Sequence, residues 1–167
     1  MKRIFFFLLA LGAPLARTGC QRKNEVLLAY QDSDFSFTGR FLLDGMECKA
    51  SFTQTTKNGE VERRLTYLEP EPLAGFSFRS CAGRIYASYG EDEVELHGAD
   101  AAMRIFSLFD IPDEARLVGK SVTHGVTEAV YSTDGGSYTV KFKEGESFPF
   151  SIVFTGREFG ASLTLEK

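Results

Sequence analysis

From Phe35 onward the chain alternates apolar and polar residues with a period of two, and this constrains the fold more than any other feature. Phe35, Phe37, Phe41 and Leu43 are interleaved with Ser36, Thr38, Arg40 and Leu42; Met46, Cys48, Ala50 and Phe52 alternate with Glu47, Lys49, Ser51 and Thr53. Residues two apart share one side of a strand, so each run reads as a half-buried strand with one apolar side. Asp44-Gly45 and Asn58-Gly59 are two-residue hairpin signals, because such turns need positive φ. Val61, Leu65 and Tyr67 continue the pattern. Glu69-Pro70-Glu71-Pro72 interrupts it, since proline cannot donate to a ladder.

Alternation resumes at Phe76 and Phe78, then at Ile85, Ala87 and Tyr89, then at Val94 and Leu96. Further strands are predicted over 117–124, 127–133 and 138–143, followed by Phe148, Phe150, Ile152 and Phe154, and finally by Ala161, Leu163 and Leu165. One segment changes period. Ala102, Ile105, Phe106 and Phe109 fall at i, i+3, i+4 and i+7, one face of a helix predicted roughly from Ala99 to Asp110. Asp100 suits its start, and Pro112 ends it. The expected fold is mainly β: about ten or eleven short antiparallel strands, with one main helix packed on the apolar face of the sheet.

The N-terminus has a different logic. Met1-Lys2-Arg3 precedes the apolar run Ile4 to Leu11, small residues follow, and then comes Thr18-Gly19-Cys20. A charged head, a short apolar middle and a small-residue exit make a secretory signal. The apolar run is shorter than the roughly 20 residues a membrane span needs. Gly19-Cys20 resembles the lipobox of bacterial lipoproteins, with Arg17 standing where that motif usually carries leucine. The resemblance implies a diacylglyceryl group on Cys20, which becomes the mature N-terminus. A cleaved, unlipidated signal and a retained anchor are the alternatives. The organisation expected is a signal peptide over 1–19, a lipid anchor and tether over 20–33, and one folded domain over 34–167.

Composition then narrows the partners. Without the signal's Lys2, Arg3 and Arg17, the net charge of −4 becomes −7. That excludes nucleic acid, whose binding needs basic side chains on phosphates. The sixteen Phe, with no Trp, bring large apolar surfaces that carry no polar atom to satisfy.

The strand meander, the segment Pro72-Leu73-Ala74-Gly75-Phe76 leading into a middle strand, and the helix before Pro112 together resemble the periplasmic lipoprotein-carrier (LolA/LppX-like) superfamily. Lipoproteins of spore-forming bacteria, including a germination type, are similar. The resemblance implies a strongly curved half-barrel whose concave face holds a lipid or other hydrophobic ligand. It implies an extracytoplasmic protein held to the cell membrane by its lipid, and no enzyme. The alternative is a non-enzymatic interaction module with a filled core, docking an envelope or spore-cortex protein.

The residues expected to line a hydrophobic site are Phe37, Phe41, Phe52, Phe78, Ile105, Phe106, Phe109 and Phe150. Arg63 joins them because it shares a face with Val61, Leu65 and Tyr67, where a guanidinium needs partners or an anionic ligand. No catalytic motif is present, and no cofactor is expected. His97 and His124 lack partners at metal-ligand spacing, and Glu91-Asp92-Glu93-Glu95 reads as a solvated turn rather than a calcium loop. Cys48 and Cys81 are expected as free thiols, since two strand spacings of about 4.8 Å and opposite faces separate them.

Overall fold

The computed structural model describes residues 27–43, 45–98, 100–157 and 159–166, with the side chains of 100–103 excepted. The expected signal peptide, Cys20, the turn residue Asp44 and the side chain of Ala102 lie outside the described residues.

Eleven antiparallel strands form one sheet. They are β1 (Phe35–Leu43), β2 (Met46–Lys57), β3 (Glu60–Glu69), β4 (Phe76–Cys81), β5 (Arg84–Tyr89), β6 (Asp92–Leu96), β7 (Arg116–Thr123), β8 (Val126–Ser132), β9 (Gly136–Lys143), β10 (Ser151–Gly156) and β11 (Gly160–Leu165). Asn58 and Gly59 both have positive φ, as the hairpin they were expected to form requires.

The spatial order is β6-β5-β4-β3-β2-β1-β11-β10-β9-β8-β7. Two meanders therefore meet where β1 pairs with β11, from Gly39↔Leu165 to Leu43↔Ala161. Gly39 permits this junction: a Cβ there would stand 2.8 Å from Leu163 Cδ1 and 2.9 Å from the Thr164 carbonyl oxygen. Strands β6 and β7 are consecutive in sequence yet lie at opposite edges. The chain between them crosses the inner face of the sheet.

That crossing carries the helix α1 (Asp100–Ser107). Its continuation to Asp110 tightens into i→i+3 bonds, with Phe109 N–H donating to the Phe106 carbonyl at 3.1 Å and Asp110 N–H to Ser107 at 3.1 Å. Pro112 explains the stop, because the residue before a proline is driven out of the helical region. The tighter turn also rotates Leu108 inward, so Leu108 and Ile111 are buried beside Ile105, Phe106 and Phe109.

The core lies between the crossing and the concave face. Phe52 and Phe109 stack with centroids 4.1 Å apart, and Phe106 lies 5.9 Å from Phe52. Phe37 stands 5.5 Å from Phe52 and 5.6 Å from Phe109. Residues before position 34 also pack against this core. Leu27–Asp32 is helical, and Tyr30, expected in the tether, is buried, with its ring edge-on to Phe148 at 5.5 Å. Cys48 is buried on the inner face, Cys81 is partly exposed, and both are free thiols.

Candidate functional site

The structure separates the expected ligand-lining residues into three groups. Phe41, Phe52, Ile105, Phe106 and Phe109 are each at most 3% exposed and, with partly buried Phe37, belong to the packed core. Phe78 lies at the margin of that core, edge-on to Phe76 at 5.0 Å and to Tyr67 at 6.2 Å.

Phe150 is elsewhere. Its ring lies 5.7 Å from Lys143 Nζ, and it is not a member of the core cluster. Its N–H donates to the Lys141 carbonyl at 2.9 Å, next to the Ser151↔Lys141 pair, so two residues face one and the alternation slips there. The buried neighbour is Pro149.

Arg63 belongs to a polar frame. Its Nε donates to Gln54 Oε1 at 2.8 Å, and its two terminal nitrogens grip the Asp110 carboxylate in a bidentate pair. Gln54, fully buried, donates from Nε2 to the carbonyls of Gln31 at 2.7 Å and Ser33 at 2.9 Å. Gln31 Nε2 donates in turn to the Ile111 carbonyl at 3.2 Å. Strand pairing accounts for the arrangement: Gln54 is directly opposite Arg63, and both occupy inward positions. A buried amide and a guanidinium on one face need each other, since an unpaired polar group there costs about 1–3 kcal/mol. Two facing polar residues at inward positions were the available sequence signal for Gln54; Gln31 and Asp110 had none.

Beside this frame opens a cleft of about 740 Å³. Its polar wall carries Gln31, Asp32, Arg63, Asp110 and Asp113; its apolar wall is Leu28, Val61, Ile111, Pro112 and Ala115. Tyr30 lies close by. Burial pushes its phenol up, and Tyr131 and then Asp110 add to that shift.

Other features of the described residues are ordinary surface. His97 and His124 are exposed. In the acidic run of β6, Glu93 is bound by Arg79 at 2.6 Å and Glu95 faces Arg84 at 3.7 Å. Among the described residues no group of His, Cys, Asp and Glu could hold a metal ion. No described helix is long and apolar enough to cross a membrane.

A curved eleven-stranded antiparallel sheet, open at both edges and crossed by one helix, is the half-barrel architecture that the alternating strands and the one helix led us to expect. Two solved structures are similar to the chain in fold. An uncharacterized conserved protein from Thermus thermophilus is similar over 86% of this chain and 84% of its own, with a TM-score of 0.55 at 13% identity. A DUF1329 family protein from Desulfovibrio piger is similar over 90% of this chain and 92% of its own, with a TM-score of 0.51 at 9% identity. A LolA superfamily protein from Nitrosomonas europaea matches more loosely, with a TM-score of 0.41 at 9% identity over 84% of this chain and 90% of its own. At such identities the likeness concerns the fold alone. No family model matches the chain, and no curated protein matches it in sequence.

Proposed function

We propose that this chain is a non-enzymatic, extracytoplasmic binding protein, anchored to the membrane through a lipid on Cys20, which docks an envelope protein on surface its own core leaves open. The observation behind this reading is the filled hollow. Phe52 and Phe109 are both 0% exposed, and their rings stack against each other where a carrier would hold an acyl chain. The cleft beside Arg63 is then the concave feature best suited to a partner. Anchorage at Cys20 would leave the six residues 21–26 before the first described residue, Leu27. At no more than about 3.6 Å per residue they would hold the cleft within roughly 25 Å of the bilayer.

A second reading, a hydrophobic ligand, draws on one observation. At the β4–β6 end, Tyr89 is 65% exposed and Val94 60% exposed, beside partly buried Phe76 and Phe78. Native mass spectrometry of the full chain released in mild detergent separates the two. The docking reading expects the mass of the protein with its own anchor only. A stoichiometric additional lipid would favour the second reading. Fractionation of Cys20→Ser tests the anchor: the protein should leave the membrane fraction, and retention there would refute lipidation at this residue.

A further inference from the structure

The charges in the cleft beside Arg63 are unevenly matched. Asp32, Asp110 and Asp113 bring three carboxylates against one guanidinium. That guanidinium is already committed, through Nε to Gln54 and through both terminal nitrogens to Asp110. Its side chain is 13% exposed, whereas that of Asp110 is 54% exposed, so the carboxylate lies on the solvent side of the pair. An incoming anion would have to displace Asp110 while approaching two further acids. A cation meets no such opposition. Asp32 and Asp113 are exposed and have no ionic partner among the described residues.

The rest of the cleft suits a cation on a long apolar stem. Val61, Ile111 and Pro112 form an apolar wall next to the acids, and lysine and arginine lay their methylenes along such surfaces while their heads stay in water. The walls are also set before any partner arrives. Gln31 ties the N-terminal turn to the Ile111 carbonyl, and Gln54 ties that same turn to β2. A preorganised cleft loses less conformational freedom on binding.

We propose that this cleft receives a basic side chain, lysine or arginine, presented by a peptide segment of a partner protein. The charged head sits between Asp32 and Asp113, and the stem lies over Val61, Ile111 and Pro112. This deepens the docking reading above and rests on it.

The test uses the full chain in neutral detergent and a fluorescein-labelled tetralysine amide, followed by fluorescence anisotropy. Tetralysine should bind, and binding should weaken as salt rises. The double variant Asp32→Asn/Asp113→Asn should lose about tenfold in affinity, the scale of two exposed ion pairs. Glu95→Gln, on the distant β6 edge, should leave binding unchanged. Both aspartates are exposed, so the double variant should melt within a few degrees of wild type, and that melt separates lost binding from lost folding. The inference is overturned if tetralysine does not bind, if the double variant binds it as well as wild type, or if labelled tetraglutamate binds more tightly. Cys20→Ser should keep tetralysine affinity while changing only membrane association. Failure of anchoring and failure of this inference are therefore read from different experiments.

Discussion

Two rows of cross-strand neighbours run outward along the concave face, and they end differently. One passes from Phe37 through Phe52, Leu65, Phe78 and Ala87 to Val94 at the β6 edge. The other passes from Phe41 through Leu163, Ile152, Val140 and Ala129 to Lys120 at the β7 edge. Both are fully buried where the crossing segment lies over them, at Phe52 and Leu65 in the first row and from Leu163 to Ala129 in the second. The first row then opens onto Val94, 60% exposed, while the second ends in an exposed lysine. An inward-pointing charge on an edge strand discourages pairing with another chain. The β7 edge is thus guarded by chemistry. The β6 edge carries charge as well, in Asp92, which shares the face of Val94, and in Glu93 and Glu95, and it is short, at five residues. Alternation makes both rows apolar; coverage by one helix and its continuation decides which part becomes core.

The widest gap between covered and open regions should appear in stability. Phe109→Ala removes a fully buried ring that stacks on Phe52, and should cost about 3–5 kcal/mol in urea unfolding. A loss below about 1 kcal/mol would mean that the helix is a loose lid and the hollow a site.

Arg63→Leu tests the polar boundary between the regions. It leaves the fully buried Gln54 without its partner for Oε1, and should cost roughly 1–3 kcal/mol at an unchanged m-value. Asp110→Asn should cost less, about 1 kcal/mol or under, because that side chain is 54% exposed. Equal losses from the two variants would mean that the ion pair, rather than the buried amide, governs this boundary.

Alkaline titration distinguishes the regions by their tyrosines. Burial pushes Tyr67 and Tyr131 up to about 12. In the unfolded chain both ionise near 10, so above that pH the native state binds more protons and stability falls as pH rises from about 10 towards 12. Each group contributes at most about 1.4 kcal/mol per pH unit to that slope. Tyrosinate absorbance near 295 nm should therefore keep rising well past pH 10, with Tyr67 and Tyr131 contributing only as the fold opens. A single stage near pH 10 would contradict the packing.

The smallest effects belong to the open end. Tyr89→Ser and Val94→Ser, at 65% and 60% exposed, should each stay within about 0.5 kcal/mol of wild type. Losses above about 2 kcal/mol would mean that something covers this face.

The local pattern anticipated most of the fold because its physics is local. Period two fixes which side of each strand is apolar, and Asn58-Gly59 fixes a turn through backbone sterics. Period 3.6 from Ile105 to Phe109 marked the helix, although the tightened last turn also drew in Leu108. Phe150 escaped the pattern because a bulge shifts parity without changing composition. The candidate site was less legible. Arg63 stood out as a charge at an inward position, but its partners Gln54, Gln31 and Asp110 come from different elements, and Asp110 is 47 residues away.

Sequence alone thus settled the chemistry of each strand's two sides, the tight turn at Asn58-Gly59 and the free state of Cys48 and Cys81, since each depends on neighbours a few residues apart or on simple strand spacing. Tertiary structure decided the β1–β11 pairing, the placement of β6 and β7 at opposite edges, and the burial of Phe52 beneath Phe109. Those depend on which surfaces meet once a sheet too wide to stay flat curls, and on where the one connecting segment must cross it. An alternating pattern records that a side chain wants cover; it does not record what supplies it.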